Sequence, residues 1–589
     1  MNRPLSLCLP LLLLSLPSPA RAEIDLRWGG KLQSDVRFRT ETKGFGGFYD
    51  RKEVRTGVSR NENIFKLKMD VAAGRFFGVA EVDLVYLGYS HAFDSIGDLG
   101  LREEVDPFRI EAHAIYVEAT DLLLRGLDLR VGQQQVFWGK GDQFNPTNTL
   151  NPNDVEDPLL FGEQVANLMV KLDYTPGTNW TFTGVLVPIF KPALLPDSAP
   201  LGLAASDRLP MVDERLRWRL HTEQGFTEQV LGFPTVVTRA VPDLPERSVD
   251  NMQWAARIAG TVWDHDVAFS YYWGRTDVPQ PYLNLTRSRR EERCNPDDPK
   301  DCINGVLETE THLGYPRVQV AGFNMAGQLD LFGWLTKRIK PIGYRLELGV
   351  FFPQAASIIL VQEELDMILT RLPAGEYQYH FDGAGSGRTP RPLVVDDTPF
   401  AKWVVGLDYT FNRYLYTNVQ WVHGFPDEFG AGDFISEGYA VRQGGVGDIS
   451  AAYPCLLKPP GEQQRCLADV GEQVAVELLR PRLGDYLVLG VDVKLLADKL
   501  LLRLFSIWDL SGVDEERWDE QAQRRVRTHH SMLSEKGFSA VIYPELLYSF
   551  GNGFDLGAGA LLMLGQDHTK FGDPATGGSQ VFTRARLQF

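Results

Sequence analysis

The sequence lacks the features of a helical membrane protein. Beyond the N-terminus, its 589 residues contain no apolar run of about 18, the length that a membrane-spanning helix needs. The mean hydropathy of −0.19 agrees with that absence. These absences exclude a polytopic helical membrane protein, but they say nothing against a membrane protein built from strands, whose apolar residues alternate with polar ones.

Positive charge is also in short supply. The chain has 60 Lys+Arg against 77 Asp+Glu, a formal net charge of −17. A large basic surface is therefore not expected, and nucleic acid is excluded as a partner.

Motifs for catalysis and for metal or cofactor binding are missing as well. There is no G-x-S-x-G elbow, no H-E-x-x-H and no Walker loop. The histidines worth naming are His423 and the pair His529 and His530, none with a serine and an acid at motif spacing. We therefore predict no enzyme, no cofactor and no metal; a barrel hydrolase with a triad assembled from separate strands stays as a minor alternative.

Cysteine is scarce, with five residues, of which four follow the N-terminal segment. These four form two close pairs, Cys294 with Cys302 and Cys455 with Cys466. Neither pair has C-x-x-C spacing or nearby histidines, which argues against zinc or redox chemistry. In an exported chain such pairs predict two small disulfide loops with a structural role.

The N-terminus has the pattern of a secretory signal. Arg3 is followed by the leucine-rich stretch 5–16 and by Ala20-Arg21-Ala22, an A-x-A cleavage site. We expect residues 1–22 to be a signal peptide and residues 23–589 to form one domain. An uncleaved anchor is less favoured, because the apolar stretch is short and no basic residues flank its far side.

Apolar and polar residues alternate with period two along most of the chain. In the first segment Leu26, Trp28 and Leu32 alternate with Arg27 and Lys31. A strand of this kind has one apolar and one wet face. The pattern predicts eighteen strands, with approximate spans 24–39, 61–74, 76–89, 108–119, 127–137, 165–174, 180–190, 251–262, 265–275, 317–329, 342–352, 400–410, 415–423, 485–495, 499–508, 536–550, 554–564 and 579–589.

The connections between these strands alternate between tight turns and long polar segments. Thr175-Pro176-Gly177 and Gly551-Asn552-Gly553 are examples of the turns. Short turns on one side and long loops on the other are typical of an outer-membrane barrel, whereas a soluble β-sandwich has no reason to segregate them. The fold prediction is therefore an all-β transmembrane antiparallel barrel of about 18 strands with long extracellular loops. A plugged TonB-dependent transporter and a helical efflux duct do not fit this pattern.

The last strand ends on an aromatic residue, Phe589. It resembles the terminal signal by which bacterial outer-membrane barrels are recognised for assembly. This resemblance implies an outer-membrane location in a Gram-negative cell and the barrel-assembly machinery as a partner.

Residues on the wet faces are expected to line the lumen. Where the last strand meets the first two, these residues form a basic stripe: Arg27, Lys31, Arg37, Lys66, Lys68, Arg584 and Arg586. Glu81 and Asp83 on the third strand are expected to supply opposing acids. Such a stripe either selects solutes by charge or only keeps the lumen hydrated. Other inward candidates are Arg130, Gln134, Arg257, Arg345 and Glu347.

The most distinctive segment is residues 129–158, with the pattern G-Q-Q-x-V-x-W-G from Gly132 to Gly139 followed by Asn-Pro turns. With shorter traces at 188–196, 317–327, 345–349 and 404–411, it resembles a family of proteobacterial porin-like outer-membrane barrels known as a domain of unknown function. The resemblance implies a channel associated with hydrophobic or aromatic compounds.

This segment is the third surface loop, which in porins commonly folds into the lumen and forms the constriction. An acidic, amide-rich constriction would favour cations or hydroxylated solutes. Its polar candidates are Lys140, Asp142, Asn145, Asn148, Asn151, Asn153, Asp154, Glu156 and Asp157. Their carboxylates could also hold calcium, although N-P-N-D-V-E-D is not the D-x-D-x-D-G loop of such sites.

A second unusual loop, residues 353–373, is apolar at near-helical spacing. It either packs inside the barrel, rests on the lipopolysaccharide surface or offers a path to a hydrophobic substrate, since a wholly exposed apolar loop would be a liability.

Together these features predict an outer-membrane channel for diffusion or uptake of small solutes, in contact with outer-membrane lipid and lipopolysaccharide. The alternative is a loop-plugged barrel that serves an export or assembly system with a periplasmic partner protein.

Overall fold

A computed structural model of the chain describes residues 24–41, 56–89, 96–157, 162–195, 236–290, 305–330, 340–357, 359–363, 393–395, 397–424, 483–519, 524–566, 569–572 and 578–589. Within these residues, no helix has both the length and the apolar character to cross a membrane.

Eighteen strands form one closed sheet. We number them β1 to β18 in chain order: Ile24–Arg39, Gly57–Ala73, Phe76–Leu87, Phe108–Ala119, Leu127–Gln134, Asn167–Tyr174, Trp180–Val187, Gln253–Val262, His265–Arg275, Arg317–Leu329, Ile342–Pro353, Phe400–Thr410, Leu415–His423, Asp485–Leu495, Leu500–Asp509, Ser539–Ser549, Phe554–Gly565 and Gln580–Gln588. The predicted barrel of eighteen antiparallel strands is confirmed. The largest boundary difference is at β2, which begins four residues earlier than predicted.

Pairing between the first and last strands closes the barrel. On one side β1 pairs with β2, from Ile24 opposite Ala73, and on the other side it pairs with β18, from Lys31 opposite Gln588. Every barrel strand pairs with a neighbour on each side, always in the antiparallel sense. No barrel strand is therefore left with an open edge.

The outer surface of the barrel is apolar. Along β1 the outward side chains include Trp28, 70% exposed, and Leu32, 46% exposed, while the inward Asp35 and Arg37 are 1% and 3% exposed. A closed barrel with an apolar outside and charged residues inside is suited to lipid around it, because every backbone group is paired within the wall.

Long and short connections lie at opposite ends. The nine long loops leave from the ends of the odd-numbered strands, and tight turns such as 74–75 and 263–264 join the other ends. We call these the loop end and the turn end. The third loop comprises residues 135–166, between β5 and β6, and its residues 158–161 lie outside the described part.

Short strands outside the barrel were not predicted from the sequence. Val236–Pro242, Gly305–Gly314, Gln280–Arg290 and Ile359–Glu363 form a four-stranded sheet in the loops. Two further pairs are Ala356–Ser357 with Leu393–Val395 and Val513–Asp519 with Arg524–His530. The helices in the described residues are the single turn Arg102–Val105 and the 3-10 segments Ile96–Gly100 and Val249–Asn251.

The interior towards the loop end contains two apolar clusters. In one, Val136, Trp138 and Leu150 of the third loop pack on inward residues of β6 to β10. In the other, Phe144 of the same loop meets inward residues of β12 to β18. A water-filled lumen lined throughout by polar residues was expected, and this part of the interior is instead packed like a protein core.

Candidate functional site

The third loop folds into the barrel, and its own amide side chains shape its entry. Asn151 accepts a hydrogen bond from the backbone N–H of Val136 at 2.7 Å and donates to the carbonyls of Gln134 and Val165, both at 3.1 Å. Asn148 exchanges hydrogen bonds with Gln164. Side-chain oxygens and amides here replace the ladder bonds that β5 loses when it leaves the sheet. Asn148 and Asn151, predicted to line the constriction, thus hold the backbone of the loop.

The first part of the loop, residues 140–147, is fixed to β11 and β13, which we call the far wall. The carboxylate of Glu347 is 2% exposed and accepts hydrogen bonds from the backbone N–H groups of Lys140, Gly141 and Thr147 at 2.7, 3.1 and 2.8 Å. The Thr147 hydroxyl donates to it as well, at 2.8 Å. A buried carboxylate with four donors is well satisfied, so Glu347 holds the loop against the wall.

Further polar contacts surround this anchor. Asp142 forms an ion pair with Arg345 and accepts a hydrogen bond from Asn418, and its backbone N–H donates to Gln420 at 3.0 Å. Lys140 pairs with Asp266 of β9 at 3.1 Å. Asp142 therefore binds the far wall, and Lys140 binds β9.

A later part of the loop, residues 156–157, is fixed to β1, β2 and β4, which we call the near wall. Asp157, 6% exposed, forms a two-bond ion pair with Arg37, which also binds Asp35 of its own strand at 3.0 Å. Glu156 accepts hydrogen bonds from Arg60 and Arg109, both at 3.2 Å. The loop thus crosses the barrel interior from one wall to the other.

The remaining candidates in the loop have different surroundings. Asn153 donates to Asp277 from its backbone at 2.8 Å and from its side chain at 2.9 Å. Asn145 lies against Gly139, where an added Cβ would meet the Asn145 side chain at 2.2 Å. Burial, together with Glu156 and Glu163, raises the pKa of the Asp154 carboxyl to about 6.

The basic stripe is not a row of free charges. Arg584 pairs with Asp35 at 2.8 Å, Lys66 with Glu81 at 2.9 Å, and Arg37 with two acids. At the turn end Arg27 pairs with Asp25 at 2.8 Å, and Lys68 approaches Asp70 to 4.0 Å. Lys31 and Arg586, by contrast, have no ion-pair partner among the residues that the structure describes.

The two acids predicted on the third strand lie directly beside the stripe. Strands β2 and β3 are neighbours, with Lys66 directly opposite Asp83 and Lys68 opposite Glu81 in the register. Glu81 and Asp83 are therefore partners of Lys66, at 2.9 and 3.5 Å, because adjacent strands bring side chains of one face within reach of each other.

The third loop adds another acid, Glu163. Burial raises the pKa of its carboxyl, and the positive charges of Lys66 and Lys31 partly offset this rise. Glu163 lies beyond the Asn-Pro turns of residues 129–158, so the pattern of that segment does not include it. Glu62 and Arg109, on wet faces of predicted strands, and Arg60, just before the second predicted strand, were not predicted as site residues either.

Another residue that the sequence did not single out, His113, lies at a β-bulge. The register between β3 and β4 shifts between Glu81 and Val82, which places His113 at 3.2 Å from Asp83 and at 3.7 Å from Glu111. A bulge re-aims the side chains that follow it. Ligand atoms of these three residues lie within 4.8 Å of one another. Lys66, at 3.5 Å from Asp83, already supplies positive charge there, so the group is poorly suited to a cation.

Other inward candidates are placed as the alternation predicts. Arg130 binds Glu118 across the β4–β5 pair at 2.7 Å, and Arg345 binds Asp408 across the β11–β12 pair at 2.9 Å. Gln134 is fully buried and donates to the carbonyl of Met169 at 3.1 Å. Arg257 faces Ser270 in the register.

Several predicted features lie partly or wholly outside the described residues. All four paired cysteines and the N-terminal 22 residues are in this group. Of the apolar loop 353–373, residues 353–357 and 359–363 are described. Residues 359–363 form a strand parallel to residues 283–287, so the near-helical spacing does not give a helix there. His423 has an acid partner that the sequence did not show, Asp485 at 3.0 Å, and it stacks on Trp403.

The C-terminal residue is part of the wall. The Phe589 ring stacks on Phe65, with ring centroids 6.4 Å apart, and its carbonyl accepts a hydrogen bond from the Gly30 N–H at 2.9 Å. A Cβ at position 30 would lie 2.6 Å from the Phe589 ring. Gly30 therefore provides the space for the terminal aromatic residue, whose role in assembly stays a prediction.

Comparison with known proteins gives structural likeness without sequence likeness. No protein-family model matches the sequence, and no characterised protein matches it. The chain is similar to the crystal structure of OccK5 (OpdH) from Pseudomonas aeruginosa, with 8% sequence identity, 96% of this chain and 97% of that chain covered, and a TM-score of 0.40. It is also similar to the crystal structure of OccAB1 from Acinetobacter baumannii, with 7% identity, 96% of each chain covered and a TM-score of 0.42. For a BenF-like porin from Pseudomonas fluorescens Pf-5 the identity is 8%, the alignment covers 96% of this chain and 98% of that chain, and the TM-score is 0.39. The fold assignment rests on the strand pairing of this chain.

Proposed function

We propose that this protein is an outer-membrane channel for small solutes, with the third loop as its constriction. The observation that carries the proposal is the course of this loop, which crosses the barrel interior between buried anchors at Glu347 and Arg37. Barrels of 16 to 18 strands are wide enough to leave an aqueous channel, and an inward loop would narrow it.

Charged side chains beside the loop support a hydrated path along the near wall. The side chains of Lys66, Glu81, His113 and Glu111 are 24%, 26%, 29% and 34% exposed, although all four point into the barrel. Partial exposure inside a barrel means that water reaches these groups. The path would pass between them and the acids of the third loop.

We propose Lys31 and Arg586 as the selective part of the basic stripe, because their charge is not cancelled by an ion pair among the described residues. They would attract anionic groups of a solute to the near wall. Hydrophobic or aromatic solutes are the class that the sequence resemblance implies, but the two apolar clusters are packed and buried and do not line this path.

Planar bilayers test the channel. Purified protein should give discrete conductance steps, and neutralising the pair with Lys31→Gln and Arg586→Gln should move the reversal potential towards cations. Arg27→Gln is the matched control, because Arg27 lies exposed at the turn end and pairs with Asp25. Reversal potentials that move equally for the pair and for the control would reject the pair as selective residues.

The second candidate function is a loop-plugged barrel that serves an export or assembly system with a periplasmic partner. It is favoured by the burial of Asp157 and Glu347, which ties the third loop tightly to both walls. Silent bilayers at all voltages and salt concentrations would reject the open channel in favour of this candidate.

A further inference from the structure

Two arginines meet on the outer face of the barrel at its loop end. Arg275 ends β9 and Arg317 begins β10, and the two are direct partners in the register. Their neighbours Gly274 and Val318 are buried inside the barrel. Since side chains alternate along a strand, both guanidinium groups belong to the outward face.

The groups that hold both arginines, among the residues that the structure describes, are neutral. Arg275 donates to the Tyr315 carbonyl and to the Asn251 side chain, both at 2.6 Å, and Arg317 donates to the carbonyl of Asp250. Among the described residues, neither has a carboxylate within ion-pair distance. A guanidinium group stays charged and carries five N–H donors. Two such groups side by side repel each other unless an anion lies between them.

The position of the pair corresponds to the lipid headgroup layer. On the same hairpin, Trp263 is 89% exposed in the turn at the other end, and Trp273 lies ten residues further on. Ten residues of a tilted strand rise by about 25 Å, the height of the apolar band of a barrel. The two tryptophans therefore mark the aromatic belts at the two membrane surfaces. Arg275 lies two residues beyond Trp273, and the guanidinium of Arg317 lies over the Trp273 ring at 4.3 Å.

We propose that Arg275 and Arg317 bind a phosphate group of an outer-leaflet lipid, the headgroup of lipid A in lipopolysaccharide. Arginine forms bidentate hydrogen bonds with phosphate, and two adjacent guanidinium groups match a doubly charged anion. Trp254 and Trp273, stacked 6.3 Å apart just below, offer an amphipathic surface to the base of the headgroup. This inference depends on the outer-membrane location and not on whether the barrel conducts.

The test uses the full mature chain in detergent micelles, titrated with bisphosphorylated lipid A and followed by native mass spectrometry. The double variant Arg275→Gln with Arg317→Gln is expected to lose at least tenfold in affinity. Arg413→Gln is the matched control, because Arg413 also stacks on an aromatic ring, that of Tyr414 at 4.5 Å, but lies in a turn at the other end of the barrel. Retained electrophoretic heat-modifiability shows that each variant is folded.

A second comparison needs no variant. The wild-type chain should bind bisphosphorylated lipid A more tightly than the same lipid without its phosphates, and inorganic phosphate should compete only weakly. Equal affinity for the two lipids, or equal losses in the double variant and in Arg413→Gln, would overturn the proposal. Competition by inorganic phosphate at the concentration of the lipid would overturn the assignment to a lipid headgroup.

Discussion

The near-wall and far-wall anchors of the third loop use opposite chemistry. At the near wall the loop supplies carboxylates, Asp157 and Glu156, to arginines of β1, β2 and β4. At the far wall the buried carboxylate comes from the barrel, because Glu347 accepts from backbone N–H groups of the loop, while the Asp142–Arg345 pair beside it is partly exposed. The near-wall anchor therefore depends on charge balance, and the far-wall anchor depends on the shape of the loop backbone. Changes at each wall should separate these two contributions.

The largest effect is expected from Arg37→Met at the near wall. Arg37 lies between Asp35 and Asp157, and both acids are nearly fully buried. Removing one partner of a buried ion pair leaves uncompensated charge and costs about 3–5 kcal/mol. Urea unfolding of the micelle-bound protein should show this loss.

Arg27→Met is the control for that experiment. Arg27 pairs with Asp25 on the same strand, but their side chains are 79% and 53% exposed. An exposed pair of this kind contributes about 0–1 kcal/mol. Similar losses in the two variants would mean that the near-wall pair is not shielded from water, which contradicts the charge-balance description.

A smaller effect on stability but a clearer effect on conductance is expected from Glu347→Gln at the far wall. The amide N–H2 would face the N–H groups of Lys140 and Gly141, which both need an acceptor. Losing charged hydrogen bonds of this kind costs about 2 kcal/mol. The freed loop should widen the path, so single-channel conductance should rise.

Glu118→Gln separates loop release from loss of a wall charge. Glu118 binds Arg130 on the barrel wall at 2.7 Å. The variant should lose some stability and keep its conductance. If Glu347→Gln and Glu118→Gln raised the conductance equally, the far-wall anchor would not be what positions the third loop.

The contrast between the walls also explains how far the sequence predicts this structure. Period-two alternation predicts all eighteen strands, because lipid outside and water inside select opposite residues along each strand. It also selects Arg37, Arg345 and Glu347 as inward residues. Alternation shows which face of a strand a residue is on, but not where it lies along the barrel axis. It could therefore not show which inward residues meet the third loop.

One site residue was missed, and two that were predicted have a role that the sequence did not show. His113 continues the phase of Arg109 and Glu111, but the bulge in β4 reverses the phase beyond it, so no single alternation runs the length of that strand. Asn148 and Asn151 have polar side chains, which suggested a role towards solutes, but the loop backbone leaves the sheet and needs these amides itself. A rule that assigns polar residues to the lumen fails where backbone groups lack partners.

The smallest effect concerns a single charge on the near-wall side of the third loop. The pKa of Asp154 is raised to about 6, mainly by burial and then by Glu156 and Glu163. Its folded-state pKa lies above the ordinary value, so the carboxyl is largely neutral at pH 5 and ionised at pH 7.5, and the ionised form is the one that folding disfavours.

Cation preference in reversal-potential measurements should therefore increase as the pH rises through 6. Asp154→Asn should remove that step, whereas Asp142→Asn, at the far wall, should leave it in place. A step that persists in Asp154→Asn would assign the titration to another group and remove Asp154 from the path.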